Sequence, residues 1–190
     1  MSAEVSERVI PRLLEKYRKE VVPEIMRRRG YRSPMRVPRI EKVVVHMGLG
    51  DMSHNPKAME SGMKVLQAAT GQKPVIRRAK KSVAAFKVRA GAPVGLLVTL
   101  RGKRMYYFLE KLIHIVLPRF KDFSGLPFSQ FDGRGNYTIG VKEQMVFPEV
   151  SFADIDRVRG MNISIVTTSK NDEEAGELLK LLGFPLKEEE

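Results

Sequence analysis

The sequence predicts an α+β fold, a mainly antiparallel sheet with helices packed on one face and the other face left open. Three observations carry this. Segments of helical period and of strand period are mixed along the chain rather than regularly alternating. Two strand-like runs, Val83–Arg89 and Val94–Arg101, are separated only by Ala90-Gly91-Ala92-Pro93, a turn of hairpin length. The other strand-like runs alternate apolar residues with small or polar ones, the pattern of a sheet buried on a single face.

Taken in order, residues 6–29 read as a helix, with Val9, Ile10, Leu13, Leu14, Tyr17, Val21, Ile25 and Met26 at helical spacing. Pro11 suits its first turn, Pro23 predicts a kink or restart, and Gly30 ends it after the basic run Arg27–Arg29. Arg39–Met47 reads as a strand, with Val43, Val45 and Met47 on one face and Ile40, Lys42, Val44 and His46 on the other. Asn55 as cap and Pro56 at the first position open a helix that Gly71 closes. Gln72–Ser82 is a basic protruding loop. The hairpin follows, with Ala84, Phe86 and Val88 inward on its first strand and Val94, Leu96, Val98 and Leu100 inward on its second.

Arg104–Leu117 is a strongly apolar helix stopped by Pro118, and residues 120–136 form an irregular glycine-rich loop. Tyr137–Lys142 and Met161–Thr168 complete the strands. Their outer sets are Thr138, Gly140 and Lys142, and Asn162, Ser164 and Thr168. Asp172–Leu182 is a last helix with acids in its first turn, as the helix dipole prefers. No repeat or low-complexity linker divides the chain, so residues 1–190 are read as a single domain.

Charge position says more than charge total. The chain has 190 residues, 34 Lys+Arg against 22 Asp+Glu, and a formal charge of +12. Eleven of the basic residues fall between Ser61 and Leu109, where no Asp or Glu occurs. The remaining 23 basic residues nearly balance all 22 acids. Such a stretch repels itself unless a polyanion neutralises it, which points to nucleic acid. The outer face of the strands repeats one theme, small or hydroxylated side chains punctuated by Lys or Arg and free of acids. That composition suits a platform facing phosphates.

Other functions find little support. The longest charge-free stretch, Ala90–Leu100, is 11 residues, short of the ~18 needed to cross a bilayer. Glu4 and Glu7 and the absence of an apolar core at the start fit neither a secretory signal nor a transit peptide, so a soluble cytoplasmic protein is expected. With no Cys, disulfides, thiolate metal sites and cysteine nucleophiles are excluded. His46 and His54, with Asp51 between, match no metal-ligand spacing, and His114 on its apolar helix reads as an interior or interface residue. No hydrolytic triad is legible, and Gly48-Leu49-Gly50 lacks the remaining marks of a dinucleotide fingerprint. Asp132-Gly133-Arg134-Gly135-Asn136 could hold a phosphate on its backbone amides, which keeps a phosphate-handling enzyme in view beside a general RNA chaperone. No catalytic residue, metal or cofactor is assigned.

Several motifs then occur in order: Val37-Pro38-Arg39-Ile40-Glu41-Lys42, Gly71-Gln72-Lys73-Pro74, Lys80-Lys81-Ser82, Val98-Thr99-Leu100-Arg101-Gly102, Phe131-Asp132-Gly133-Arg134-Gly135-Asn136-Tyr137, Asp156-Arg157-Val158-Arg159-Gly160 and Leu182-Gly183-Phe184-Pro185. Together they resemble the universal 5S rRNA-binding family, ribosomal large-subunit protein five, from about Tyr17 to Lys187. The resemblance implies a non-enzymatic constituent of the large ribosomal subunit that binds 5S rRNA and 23S rRNA in the central protuberance and supports translation. It implies a basic loop reaching peptidyl-site tRNA, here with Arg77, Arg78, Lys80 and Lys81. It also implies contact with other large-subunit proteins and an intersubunit bridge to small-subunit protein thirteen.

Gln72 and Thr99 match positions that the family uses for hydrogen bonds to 5S rRNA. A third such position is commonly Asn and here is His46, which lacks the paired donor and acceptor of an amide. With the basic residues of the outer faces, the expected 5S rRNA site is Lys42, His46, Gln72, Lys73, Lys87, Arg89, Thr99 and Arg101.

Overall fold

A computed structural model describes residues 10–48, 50, 56–121 and 123–187. Asp51, His54, Asn55 and the predicted helix start at 6–9 lie outside these residues. Five strands form one antiparallel sheet: β1 (Ile40–Gly48), β2 (Val75–Arg78), β3 (Pro93–Leu100), β4 (Tyr137–Val141) and β5 (Met161–Thr167), in the spatial order β2-β3-β1-β5-β4. The expected α+β class holds.

Helices cover one side only. The first, α1, runs unbroken over residues 12–29, α-helical at Arg12–Lys16 and Val22–Arg29 with a π turn, Tyr17–Val21, between them. The others are α2 (Pro56–Thr70), α3 (Gly102–Lys111, continuing as a π turn Leu112–Val116) and α4 (Asp172–Leu182). α1 packs on α3, α3 lies against β1, α2 against β3, and α4 against the π turn of α1. Val43, Val45, Met47, Leu96, Val98, Leu100, Ile163 and Ile165 supply the sheet's half of the core, with Leu66, Leu109, Leu112, Leu178 and Leu179 opposite them. Burying each such side chain is worth about 1.5–3 kcal/mol.

Helical geometry runs straight through Pro23, where the sequence predicts a kink or restart. Proline cannot donate to the carbonyl four residues back. The π turn ends two residues before Pro23, and the same arrangement recurs in α3, whose π turn ends two residues before Pro118. At Pro23 the wider turn takes up the missing bond without ending the helix, whereas at Pro118 the chain passes into a 3-10 turn, Leu117–Arg119, and is extended by Phe120. The start differs too: Pro11 is the N-cap of α1 and Ile10 is not helical. Gly30 stops the helix as expected, at φ +66°. His114 is exposed rather than interior.

The predicted hairpin is the largest departure. Val83–Arg89 is not a sheet strand. It folds as a 3-10 turn, Ala84–Phe86, with Val83 paired only to Val88 and Lys87 held left-handed at φ 52°. Phe86, expected inward, is 77% exposed. The hairpin partner of β3 is β2, which lies within the stretch expected to be a loop. Between β2 and β3, residues 79–92 project as an ordered tip. It is closed by Ala79 N to Ala92 O (2.8 Å), Gly91 N to Ala79 O (2.9 Å) and Ala90 N to Ser82 Oγ (2.8 Å). Alternation of Ala84, Phe86 and Val88 imitates a strand, but no neighbouring strand is within reach to use it.

Candidate nucleic-acid interface

Strand register decides what shares the uncovered face. Pairing sets His46 opposite Leu97 and Asn162, Val44 opposite Thr99 and Ser164, and Lys42 opposite Val166. At the edges, Val75 and Arg77 lie beside Leu97 and Gly95, while Thr138 and Gly140 lie beside Ser164 and Asn162. Side chains directly paired across antiparallel strands point the same way. The face therefore reads Val75, Arg77, Gly95, Leu97, Thr99, Lys42, Val44, His46, Asn162, Ser164, Val166, Thr138 and Gly140. Glu41, exposed next to Lys42 at the β1–β5 register shift, is the one acid within the five strands, and it pairs with Arg101. Ile40, expected here, is buried because the β1–β5 register shifts between Ile40 and Lys42.

Small residues bring the backbone to the surface. A Cβ on Gly95 would meet His46 Nε2 at 3.0 Å and Met47 O at 3.1 Å, so the His46 imidazole is seated against that glycine. Gly95→Ala is expected to push the ring off its seat, changing the imidazole NMR shifts while the amide spectrum of the helices stays put. Further along β3 on the same face, Gln72 Nε2 donates to Thr99 O (3.3 Å), joining two predicted site residues that are far apart in sequence. The hydroxyls of Thr138 and Ser164 share a 3.0 Å bond.

The cations fall into two groups. Lys42, Lys73 and Arg77 belong to the face or its rim, and Lys80, Lys81, Lys87 and Arg89 to the projecting tip. Among the described residues none of these seven forms an ion pair. Lys87 and Arg89, expected on a sheet strand beside Thr99, thus join the tip, whereas Arg77, expected in the loop, joins the sheet. Arg78 Nη1 donates to Gly91 O (2.9 Å), bracing the root of the tip. Arg101 is the exception, pairing with Glu41 at 3.4 Å, where both groups are exposed.

The glycine-rich loop cannot serve as a phosphate cradle, because this chain's own carboxylates occupy its amides. Asp172, in the first turn of α4, accepts from Gly133 N (2.9 Å) and Gly135 N (2.7 Å). Asp132 accepts from Arg134 N (2.8 Å), Asn136 N (3.0 Å) and Asn136 Nδ2 (2.7 Å). Partial burial opposes ionisation of Asp132, but the bonds from Asn136 and Arg134 outweigh it and hold its carboxyl below the ordinary range. Among the described residues no group of His, Asp or Glu is placed to hold a metal ion. No described helix is long and apolar enough to cross a membrane.

Comparison with known proteins separates these possibilities. Residues 33–89 match the family model for ribosomal protein L5, and residues 93–186 match the one for the C-terminus of the same ribosomal family. The chain belongs to the ribosomal protein L5 family. Proteins named large ribosomal subunit protein uL5 are similar to it throughout. That of Dictyoglomus turgidum is 59% identical over 175 residues, covering 92% of this chain and 98% of the relative. That of Caldanaerobacter subterraneus is 58% identical over 174 residues, covering 92% and 97%. That of Carboxydothermus hydrogenoformans is 53% identical over 176 residues, covering 93% and 98%.

Members of the L5 family are structural, non-enzymatic, rRNA-binding proteins of the large ribosomal subunit in the cytoplasm, and act in translation. The two L5 segments meet at residues 90–92, inside the tip. The sheet therefore draws β1 and β2 from the first L5 segment and β3, β4 and β5 from the second.

Proposed function

We propose that this protein holds 5S rRNA on the open face of its sheet, in the central protuberance, with 23S rRNA as a neighbouring partner. What carries the reading is the face itself: a five-stranded surface whose one strand acid, Glu41, is paired with Arg101, bearing Lys42 and Arg77 without an ion pair among the described residues, the seated His46 and the linked pair Gln72 and Thr99. Lys and Arg neutralise phosphates, while the glycines and short hydroxylated residues admit RNA loops close to the backbone. RNA loops supply specificity because the deep groove of A-form duplex is closed to side chains.

The tip extends the reading. Lys80, Lys81, Lys87 and Arg89 present charge without a fixed pattern of base contacts, which suits a site that every peptidyl-site tRNA visits. The bridge to small-subunit protein thirteen and contacts with other large-subunit proteins complete the proposed set of partners. Lys80→Ala/Lys81→Ala is expected to lower tRNA retention on ribosomes and leave affinity for isolated 5S rRNA within about twofold. A large loss of 5S rRNA affinity in that pair would place the tip in the rRNA site instead.

The direct test is a titration against 5S rRNA, tRNA and an unrelated hairpin across a salt series. Tight binding confined to 5S rRNA, weakening as salt rises, is the expected result. Equal affinity for all three RNAs would overturn the reading in favour of a general RNA chaperone.

A further inference from the structure

Away from the open face, on the helical side, a cleft of about 590 Å³ lies between α1, the turn at Pro34–Arg36 and α3. Tyr17, Arg18, Arg39 and Tyr106 line it, and Met35, 87% exposed, stands at its rim. Two properties matter here. No acid lines it, and neither the Arg18 nor the Arg39 guanidinium has a partner among the described residues. The larger cleft between α1 and α3 is the contrast: it is lined by Glu15, Glu20 and Glu110, and its Lys19 and Lys111 are already held by Glu15 and Glu149.

The second property concerns the phenols. Tyr17 OH donates to Pro38 O (3.1 Å), which fixes its ring in the cleft wall. Tyr106 is only 6% exposed, but its hydroxyl opens to the cleft and forms no hydrogen bond among the described residues, so it is free to donate to a ligand there. Burial pushes the Tyr106 phenol up to about 12, with Tyr17 adding to the shift while Arg18 and Arg39 oppose it, so all four groups share one local field. It remains a neutral donor.

We infer that this cleft is a second RNA-binding site, taking a backbone phosphate between Arg18 and Arg39, with the Tyr106 hydroxyl as a further donor. Arginine's planar fork matches phosphate oxygens, and the tyrosine rings and Met35 offer apolar surface to a flanking unpaired base. The site engages rRNA on the side opposite the sheet. It depends on rRNA binding, a property of the family, and not on the assignment of the open face to 5S rRNA.

The test compares the full chain with Arg18→Ala/Arg39→Ala, both positions being exposed, and with Arg32→Ala/Arg119→Ala as an equal loss of charge elsewhere. Each is titrated across salt against deproteinised 23S plus 5S rRNA, and separately against 5S rRNA alone. The cleft pair is expected to weaken binding to the combined rRNA about tenfold and to make the log-log salt slope shallower by roughly 0.7–0.9, as for one phosphate. An unchanged slope, or an equal change in the control pair, overturns the inference. In assembled large subunits a photoreactive Met35→benzoylphenylalanine should cross-link to rRNA, and cross-linking to protein alone also overturns it. Failure of the open-face reading would register separately, as non-selective binding of the unaltered chain to 5S rRNA.

Discussion

Thr99→Glu is expected to cut affinity for 5S rRNA by about a hundredfold while leaving the fold intact. Thr99 sits near the middle of the open face, opposite Val44 and one strand from Ser164, with its backbone oxygen held by Gln72. A carboxylate there would meet RNA phosphates on a surface whose one strand acid, Glu41, is already paired with Arg101. Like charges brought together across an interface cost several kcal/mol, and about 2.8 kcal/mol is a hundredfold in affinity. The side chain is only half-buried, so melting should shift by no more than about 3 °C, as for a change of strand propensity within ~1 kcal/mol. Thr99→Ser, which keeps the hydroxyl, should retain most of the affinity. Equal binding by the Glu and Ser variants would remove the centre of the sheet from the RNA site.

The second large effect concerns stability. Gly135→Ala is expected to lower the melting temperature by about 6–12 °C, corresponding to roughly 3 kcal/mol in a chain of this size. Gly135 has φ +76°, and a Cβ there would stand 2.9 Å from Ser169 Cβ, 3.1 Å from Ser169 O and 3.2 Å from Asn171 O. Two of those three atoms are backbone and cannot swing aside. Gly133 supplies the control, because it has nearly the same φ, +78°, and a Cβ added there would meet nothing within 4 Å. Gly133→Ala should therefore cost only the conformational strain, about 1 kcal/mol. If the two variants melt alike, the close approach of the loop to Ser169 is not what demands glycine.

The same loop makes a pH prediction. Asp132 titrates below its ordinary value of 3.8 in the folded chain, so its contribution to stability is present above that value and is lost as pH falls through the lower folded value. Thermal melts between about pH 5 and 2.5 should show Asp132→Asn losing less stability on acidification than the unaltered chain.

What sequence could and could not reveal follows from the range of each interaction. α2 and α4 are legible to the residue, because helical spacing and the stops at Gly71 and Gly183 act within a few positions. The buried sets of β1, β3, β4 and β5 are also legible, since alternation is local and the core accepts only one face. β2 is not. Four residues, two of them arginine, carry no alternation that separates an edge strand from a basic loop, and only pairing with β3 makes them a strand. Gln72 and Thr99 are singled out by resemblance, whereas their hydrogen bond requires the fold. The capture of Gly133 and Gly135 amides by Asp172 lies beyond any local pattern, as the donors are 39 and 37 residues from the acceptor. The place of the Tyr106 hydroxyl in the cleft is equally invisible in sequence, because the cleft is assembled from segments far apart along the chain.

The strand order also bears on the interval between synthesis and assembly. A chain with an uncovered sheet must wait for its RNA without pairing with copies of itself. Both outer strands are short, four residues in β2 and five in β4, and β2 ends in Arg77 and Arg78 beneath a cationic tip. Short, charged margins give a foreign strand little to extend. The long, hydrophobic strands β1 and β3 are instead enclosed within the sheet, so the segments most prone to self-association are the ones a waiting protein never offers.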